Sequence, residues 1–178
     1  AEGLAARKET MMDTPAADAP SHVPVMLNEV MTLLQPGPGE VVVDATVGAA
    51  GHAAAILGSI GAGGMLIGLD RDPMMAEAAA QRLKNAPNVR VLCRNYSEID
   101  LVLKELGHDR ADGVLLDLGF ASPQVDLVER GFSYRADGPL DMRMTPDEGP
   151  TAADYLPPDT STSSRSSVWV GANSGYSA

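Results

Sequence analysis

Cysteine occurs once in this 178-residue chain, at Cys93, so no internal disulfide can form. The three histidines, His22, His52 and His108, are scattered and leave no structural zinc constellation. A single thiol fits a reducing compartment. Positive charge is also scarce: 13 Lys and Arg against 24 Asp and Glu give a formal net charge of −11. That balance argues against a general electrostatic grip on nucleic acid or anionic lipid, so any nucleic acid contact has to be local. No apolar run approaches the roughly 18 residues of a membrane span. Residues 1–20 carry Arg7 and Lys8 but no apolar core behind them, and Glu2, Glu9, Asp13 and Asp18 count against an Arg-rich transit peptide. This stretch is rich in Ala, Pro and Asp and has no apolar periodicity, which predicts a disordered leader.

What is present is a core. Hydrophobic side chains make up 44% of the chain, enough for one domain, and the length is too short for two of ordinary size. Val25, Met26, Leu27, Val30, Met31, Leu33 and Leu34 recur at helical spacing until Pro36-Gly37-Pro38-Gly39 stops them. Val41-Val42-Val43 then forms a continuous β-branched run ending in Asp44, the pattern of a parallel strand buried on both faces. The unit repeats. An Ala-rich helix is expected over 51–57, a glycine turn at 61–64, a strand over 65–69 ending in Asp70, and a helix over 73–84 with Pro73 in its first turn. A strand over 89–93, a helix near 99–106 and a strand over 113–116 ending in Asp117 complete the series.

Four strands alternating with helices predict an α/β, doubly wound, Rossmann-like parallel sheet. Right-handed crossovers place all strand carboxyl ends on one edge, where open α/β sheets bind ligands. Asp44, Asp70 and Asp117 all fall on that edge. Residues 118–150, rich in Gly, Pro, Asp and Arg, read as one long ordered loop, of a length that is usually either functional or disordered. From residue 157 the chain is Ser/Thr/Gly-rich without periodicity and is expected to be a disordered tail outside the domain.

Each candidate site feature has a second reading. The segment Asp44-Ala45-Thr46-Val47-Gly48-Ala49-Ala50-Gly51-His52 lets backbone approach a ligand at a helix N-terminus, or is simply a tight turn that needs small residues. It does not match G-x-G-x-x-G, so the nicotinamide fingerprint is not met. Asp70 can accept both ribose hydroxyls of a nucleoside, or can stand as an ordinary strand-end acid. Asp70-Arg71-Asp72 has too few ligands to argue for a metal. His52 is either a nucleoside contact or base, or a capping and packing imidazole. Cys93, on an apolar strand, reads as a buried thiol. Asp117, if ionised, can accept a hydrogen bond from an exocyclic amine and localise the nitrogen lone pair for attack on an electrophilic methyl; otherwise it is a strand-end cap. Arg130, Arg135 and Arg143 are either local nucleic acid contacts or an internal ion-pair network that holds the loop. Residues 21–156 carry ten Lys and Arg against nineteen Asp and Glu, so the acidity belongs to the domain itself.

Taken together, these residues resemble the ribosomal RNA small subunit methyltransferase H family. The carriers are His22-Val23-Pro24-Val25-Met26, Asp44-Ala45-Thr46 with Gly48 and Gly51-His52, Asp70-Arg71-Asp72-Pro73, and Leu115-Leu116-Asp117-Leu118-Gly119. Ser122-Pro123-Gln124 with Asp126, Glu129-Arg130-Gly131-Phe132-Ser133 and Gly138-Pro139-Leu140-Asp141-Met142-Arg143-Met144 complete them, and the last two runs are the most specific. The resemblance implies a cytoplasmic, metal-free enzyme that uses S-adenosylmethionine to methylate N4 of a cytidine in 16S rRNA of the small ribosomal subunit. It implies cofactor contacts at Ala50, Gly51 and His52 for the methionine end, Asp70 for the ribose, Tyr96 near the adenine, and Asp117 and Gln124. Asp117 is the expected catalytic residue.

Several positions depart from that pattern. Ala50 replaces a glycine, and if the position needs positive φ its Cβ costs about 1 kcal/mol. Phe120-Ala121 stands where the family has a smaller residue and a serine, which reshapes the pocket beside Asp117. The Asp-Pro-Pro-Tyr signature of many amino-methylating enzymes is absent. The family continues with an inserted helical domain and further strands, and nothing after residue 156 resembles them. The expectation is therefore a methyltransferase domain over 21–156 that holds the N-terminal part of an incomplete fold, followed by a non-family tail over 157–178. A catalytically inactive cofactor-binding fragment and a small-molecule methyltransferase are the rival readings.

Overall fold

The β-branched run forms the first strand, β1 (Val41–Asp44), and the next apolar run forms β2 (Met65–Asp70). The computed structural model describes residues 24–146 and 148–156. The expected leader over 1–20, the expected tail over 157–178, and His22 and Val23 lie outside the described residues. Among the described residues four strands build one parallel sheet in the order β3-β2-β1-β4, with β3 at Val89–Cys93 and β4 at Gly113–Leu115. This is a doubly wound, Rossmann-like arrangement, with the direction of winding reversing between β1 and β4.

The two central strands are buried on both faces, as their unbroken apolar character requires. Val42 and Leu66 pack on one face with Ile56 and Ile60 of α2 (Gly51–Ile60) and Ala79 and Leu83 of α3 (Pro73–Leu83). Val43, Ile67 and Leu69 pack on the other with Val102 and Leu103 of α4 (Ile99–Glu105). Each fully buried Ile, Leu or Val contributes roughly 1.5–3 kcal/mol. α1 (Leu27–Leu34) buries no residue completely, but its Met31 and Leu34 pack against the α2 side.

Several local expectations need correction. α2 runs on to Ile60 rather than stopping near residue 57, because the stop is Gly61 at φ 62°, whose N–H caps Leu57 O at 3.2 Å. A 3-10 turn, Tyr96–Glu98, precedes α4; Asn95 and Glu98 cap it reciprocally. The segment after β4 is not one loop, since it holds α5 (Ser122–Asp126) and a 3-10 turn, Val128–Arg130. Cys93 is exposed rather than buried, because β3 is an edge strand and Cys93 is its last residue. β4 is the other edge, and Val114 and Leu116 stay half-exposed because α4 packs over β1 and β2.

Candidate functional site

The register places Asp44 beside Gly68 and Leu115, and Asp70 beside Cys93, so the carboxyl ends of all four strands share one edge. Backbone bonds extend the ladder past that edge, Ala45 N–H to Leu115 O at 2.9 Å and Val47 N–H to Leu69 O at 2.8 Å. The turn from β1 into α2 is thereby fastened to both neighbouring strands. A cleft of about 780 Å³ opens over it, lined from the β1–α2 turn, the end of β2, Tyr96 and residues 117–124. The cleft therefore sits at the topological switch point between β1 and β4, where doubly wound sheets bind ligands.

Two aspartates on this edge are tied to neighbouring turns. Asp70 Oδ2 accepts from Gly48 N–H at 3.0 Å and its Oδ1 from Asp72 N–H at 2.9 Å. Each oxygen keeps one further lone pair, and burial pushes the carboxyl up against those two hydrogen bonds. Asp117 is held through its backbone: its N–H donates to Thr46 Oγ1 at 2.7 Å. Its exposed side chain lines the cleft.

Asp44 differs from both. It is 1% exposed, its Oδ1 accepts only a 3.3 Å bond from Thr46 N–H, and its Oδ2 has no partner among the described residues. Burial raises its carboxyl from 3.8 to about 6, opposed by the Thr46 N–H and by His52, and reinforced by Asp117 and Asp70.

Ala50 is the N-cap of α2 with φ 60° and ψ 31°, so the position does require the left-handed region. Ala50 is fully buried and does not line the cleft, whereas Gly51 and His52 do. A Cβ on Gly51 would come within 2.7 Å of Pro24 Cγ, so glycine there admits the preceding segment. His52 is buried, and its Nε2 lies 3.1 Å from Val25 O. A carbonyl only accepts, so Nε2 carries the hydrogen and the imidazole holds that segment against α2. Arg82 pins the turn with a 2.7 Å bond to Ala49 O.

Gln124 lines the cleft, but its amide is engaged within the protein. Nε2 donates to Asp72 Oδ2 at 2.6 Å and to Met144 Sδ at 3.4 Å, and Oε1 accepts from Ala121 N–H at 2.8 Å. Asp72 is the residue that sequence reasoning missed. It is completely buried, caps α3 through Met74 N–H at 3.0 Å, and accepts from Arg130 Nη2 at 2.8 Å. Arg130 Nη2 also donates to the carbonyls of Arg143 and Met144 at 3.1 and 2.9 Å. Asp72 therefore clasps the segment after β4 to the start of α3. The available signal was Asp72-Pro73, an N-cap residue before a first-turn proline.

The loop arginines divide accordingly. Arg130 and Arg143 take the internal reading, Arg143 through a two-pronged pair with Asp141 at 2.8 and 2.7 Å. Arg135 is exposed, with its guanidinium 5.9 Å from the Tyr134 ring centre. Among the described residues no group of three or more His, Cys, Asp or Glu is placed to hold a metal ion, and no helix is long and apolar enough to cross a membrane.

Fold and cleft together define a doubly wound α/β domain with an open cleft at its switch point. A sequence profile of the MraW methylase family matches residues 19–163, and the chain belongs to that family. It is similar to the ribosomal RNA small subunit methyltransferase H of Geobacter sulfurreducens, at 52% identity over 137 residues, covering 76% of this chain and 44% of that one. The proteins of the same name from Heliobacterium mobile (49% over 137 residues; 76% and 44%) and Thermobifida fusca (49% over 142 residues; 78% and 43%) are similar too. The chain thus spans less than half the length of these relatives.

Proposed function

We propose that residues 21–156 form the cofactor-binding part of an S-adenosylmethionine-dependent methyltransferase that modifies N4 of a cytidine in 16S rRNA of the small ribosomal subunit, in the cytoplasm. The observation that carries this reading is that Asp70 and Asp117 converge on one switch-point cleft in a chain of this family.

The residues present fit the cofactor. A volume of about 780 Å³ suits a nucleoside-sized ligand. Each Asp70 oxygen has a lone pair left over on the cleft. In this reading Ala50, Gly51 and His52 shape the site for the methionine end, Asp70 accepts the ribose hydroxyls and Tyr96 lies by the adenine. Gln124, with both N–H donors occupied, offers only the remaining lone pair of Oε1.

S-adenosylmethionine, when bound, supplies an electrophilic sulfonium methyl. The chain's own contribution is alignment and proton handling. Asp117 accepts a hydrogen bond from the exocyclic amine, keeps the nitrogen lone pair directed for attack, and takes up the proton that the amine releases. The Thr46 hydroxyl fixes Asp117 through its backbone. The clasped segment 121–124 forms one wall of the cleft beside Asp117.

A methylation assay on small subunits lacking the modification tests this. Asp117→Ala should lower the rate by roughly 10²–10⁴-fold while S-adenosylmethionine still binds by calorimetry. Equal activity in the variant would remove Asp117 from the mechanism. Cofactor binding without turnover by the unaltered chain would favour the inactive-fragment reading, and no binding at all would overturn both.

A further inference from the structure

The chain has two phenylalanines, and the fold brings them together at the cleft. The Phe120 and Phe132 ring centroids lie 5.4 Å apart at an interplanar angle of 44°, within the range of a favourable aromatic pair. Phe120 lines the cleft yet is 60% exposed, so its ring is braced by a tilted neighbour while much of it is open. Phe132 is supplied by the segment that the Arg130–Asp72 clasp holds down. A large ring left mostly open to water forgoes much of the stabilisation that burial would bring, and here it is held in a cleft three residues from the exposed carboxylate of Asp117.

Among the described residues, the only other phenyl or phenol ring on the cleft is Tyr96, which is also partly exposed. Tyr96 follows β3 and Phe120 follows β4, so the two rings stand at opposite ends of the strand order. Three strand spacings of about 4.8 Å separate those edges by about 14 Å. One flat heterocycle cannot lie on both rings, so the cleft has places for two.

We propose that Phe120, propped by Phe132, is the stacking face for the target base, and that it selects a base whose exocyclic amine reaches Asp117. This rests on the methyltransferase reading and adds the residue that holds the substrate base. An apolar ring face beside an ionisable carboxylate complements a flat heterocycle with an N–H edge. An aliphatic side chain at the same position would offer no such face. Stacking also offsets part of the cost of drawing a base out of its own stack.

The test uses the full chain saturated with S-adenosylhomocysteine, whose affinity is first measured by calorimetry. Cytidine 5′-monophosphate is then titrated, and its base and ribose protons are followed by NMR. Stacking on Phe120 should move the base H5 and H6 signals upfield more than the ribose signals. Phe120→Leu should abolish that ring-current shift and weaken nucleotide binding by roughly 5- to 150-fold, with S-adenosylhomocysteine affinity unchanged. Phe120→Trp should retain both the shift and the affinity. Unchanged nucleotide affinity and shifts in Phe120→Leu would overturn the proposal and leave the methyltransferase reading standing. A weaker S-adenosylhomocysteine affinity in Phe120→Leu would place the ring at the cofactor and overturn it as well. Failure of the unaltered chain to bind S-adenosylhomocysteine would overturn the methyltransferase reading and this inference with it.

Discussion

Two buried aspartates, one at the end of β1 and one in the turn after β2, are treated in opposite ways. Asp72 is fully buried and fully satisfied: one oxygen caps α3, and the other receives an amide and a guanidinium from the segment after β4. Asp44 is 1% exposed and has one oxygen with no partner among the described residues. Burying a carboxylate is tolerable when charge and hydrogen bonds compensate it, and costly otherwise. The satisfied aspartate therefore marks where the fold is fastened, and the unsatisfied one is a buried acceptor that the described residues do not compensate. In this chain the first builds the wall of the cleft, and the second lies at the strand end next to it.

The largest expected effect comes from breaking the satisfied partner set. Arg130→Ala leaves the Asp72 carboxylate buried without its cation, and an uncompensated charge of that kind typically costs about 3–5 kcal/mol. Urea unfolding at neutral pH should show a loss of that size. A loss below about 1 kcal/mol would mean that Arg130 behaves like an exposed surface pair and that the clasp does not hold the segment.

The unsatisfied aspartate should show itself through pH. Its folded-state value, about 6, lies above the ordinary 3.8. Its contribution to stability is therefore complete below pH 3.8 and is lost as pH rises through 6. Asp44→Asn removes this titration while keeping an acceptor for Thr46 N–H. Lowering the pH from about 7.5 to 5 should stabilise the parent by roughly 1–2 kcal/mol relative to that variant. Asp70 is shifted in the same direction by its own burial, and it is present in both proteins. Identical pH slopes would show that Asp44 finds a partner in solution.

The same contrast explains which features were legible in the sequence. The strands and their terminal acids could be read because Val41-Val42-Val43 and Met65-Leu66-Ile67 are short uniform apolar runs, a pattern fixed by burial on both faces. Ala50 could be read because its conflict with a left-handed turn is local. The Asp72 clasp could not: it joins positions 52 and 58 residues apart, and neither Gln124 nor Arg130 announces that its partner is a helix cap. The exposure of Cys93 and Val114 was hidden for a related reason. An edge strand and a central one look alike in sequence until the neighbours are placed. Phe120 stood out only as a departure from the family pattern, and its pairing with Phe132 depends on a segment that only the clasp brings into place.

The smallest expected effect tests whether strain, like the missing hydrogen bond, is concentrated in the β1–α2 turn. Ala50 is held at φ 60° and ψ 31°, where a Cβ costs roughly 1–2 kcal/mol that glycine avoids. Glycine in turn loses about 0.4–1 kcal/mol through the greater freedom of the unfolded chain. Ala50→Gly should therefore stabilise the protein by about 0.5–1 kcal/mol, read as a raised urea midpoint with an unchanged slope. The neighbouring Gly48, at φ +49°, is the internal control: Gly48→Ala should lower the midpoint for the same steric reason. If Ala50→Gly instead left the midpoint unchanged, the left-handed turn would be relaxed. The excess energy of this edge would then reside in the Asp44 carboxylate alone.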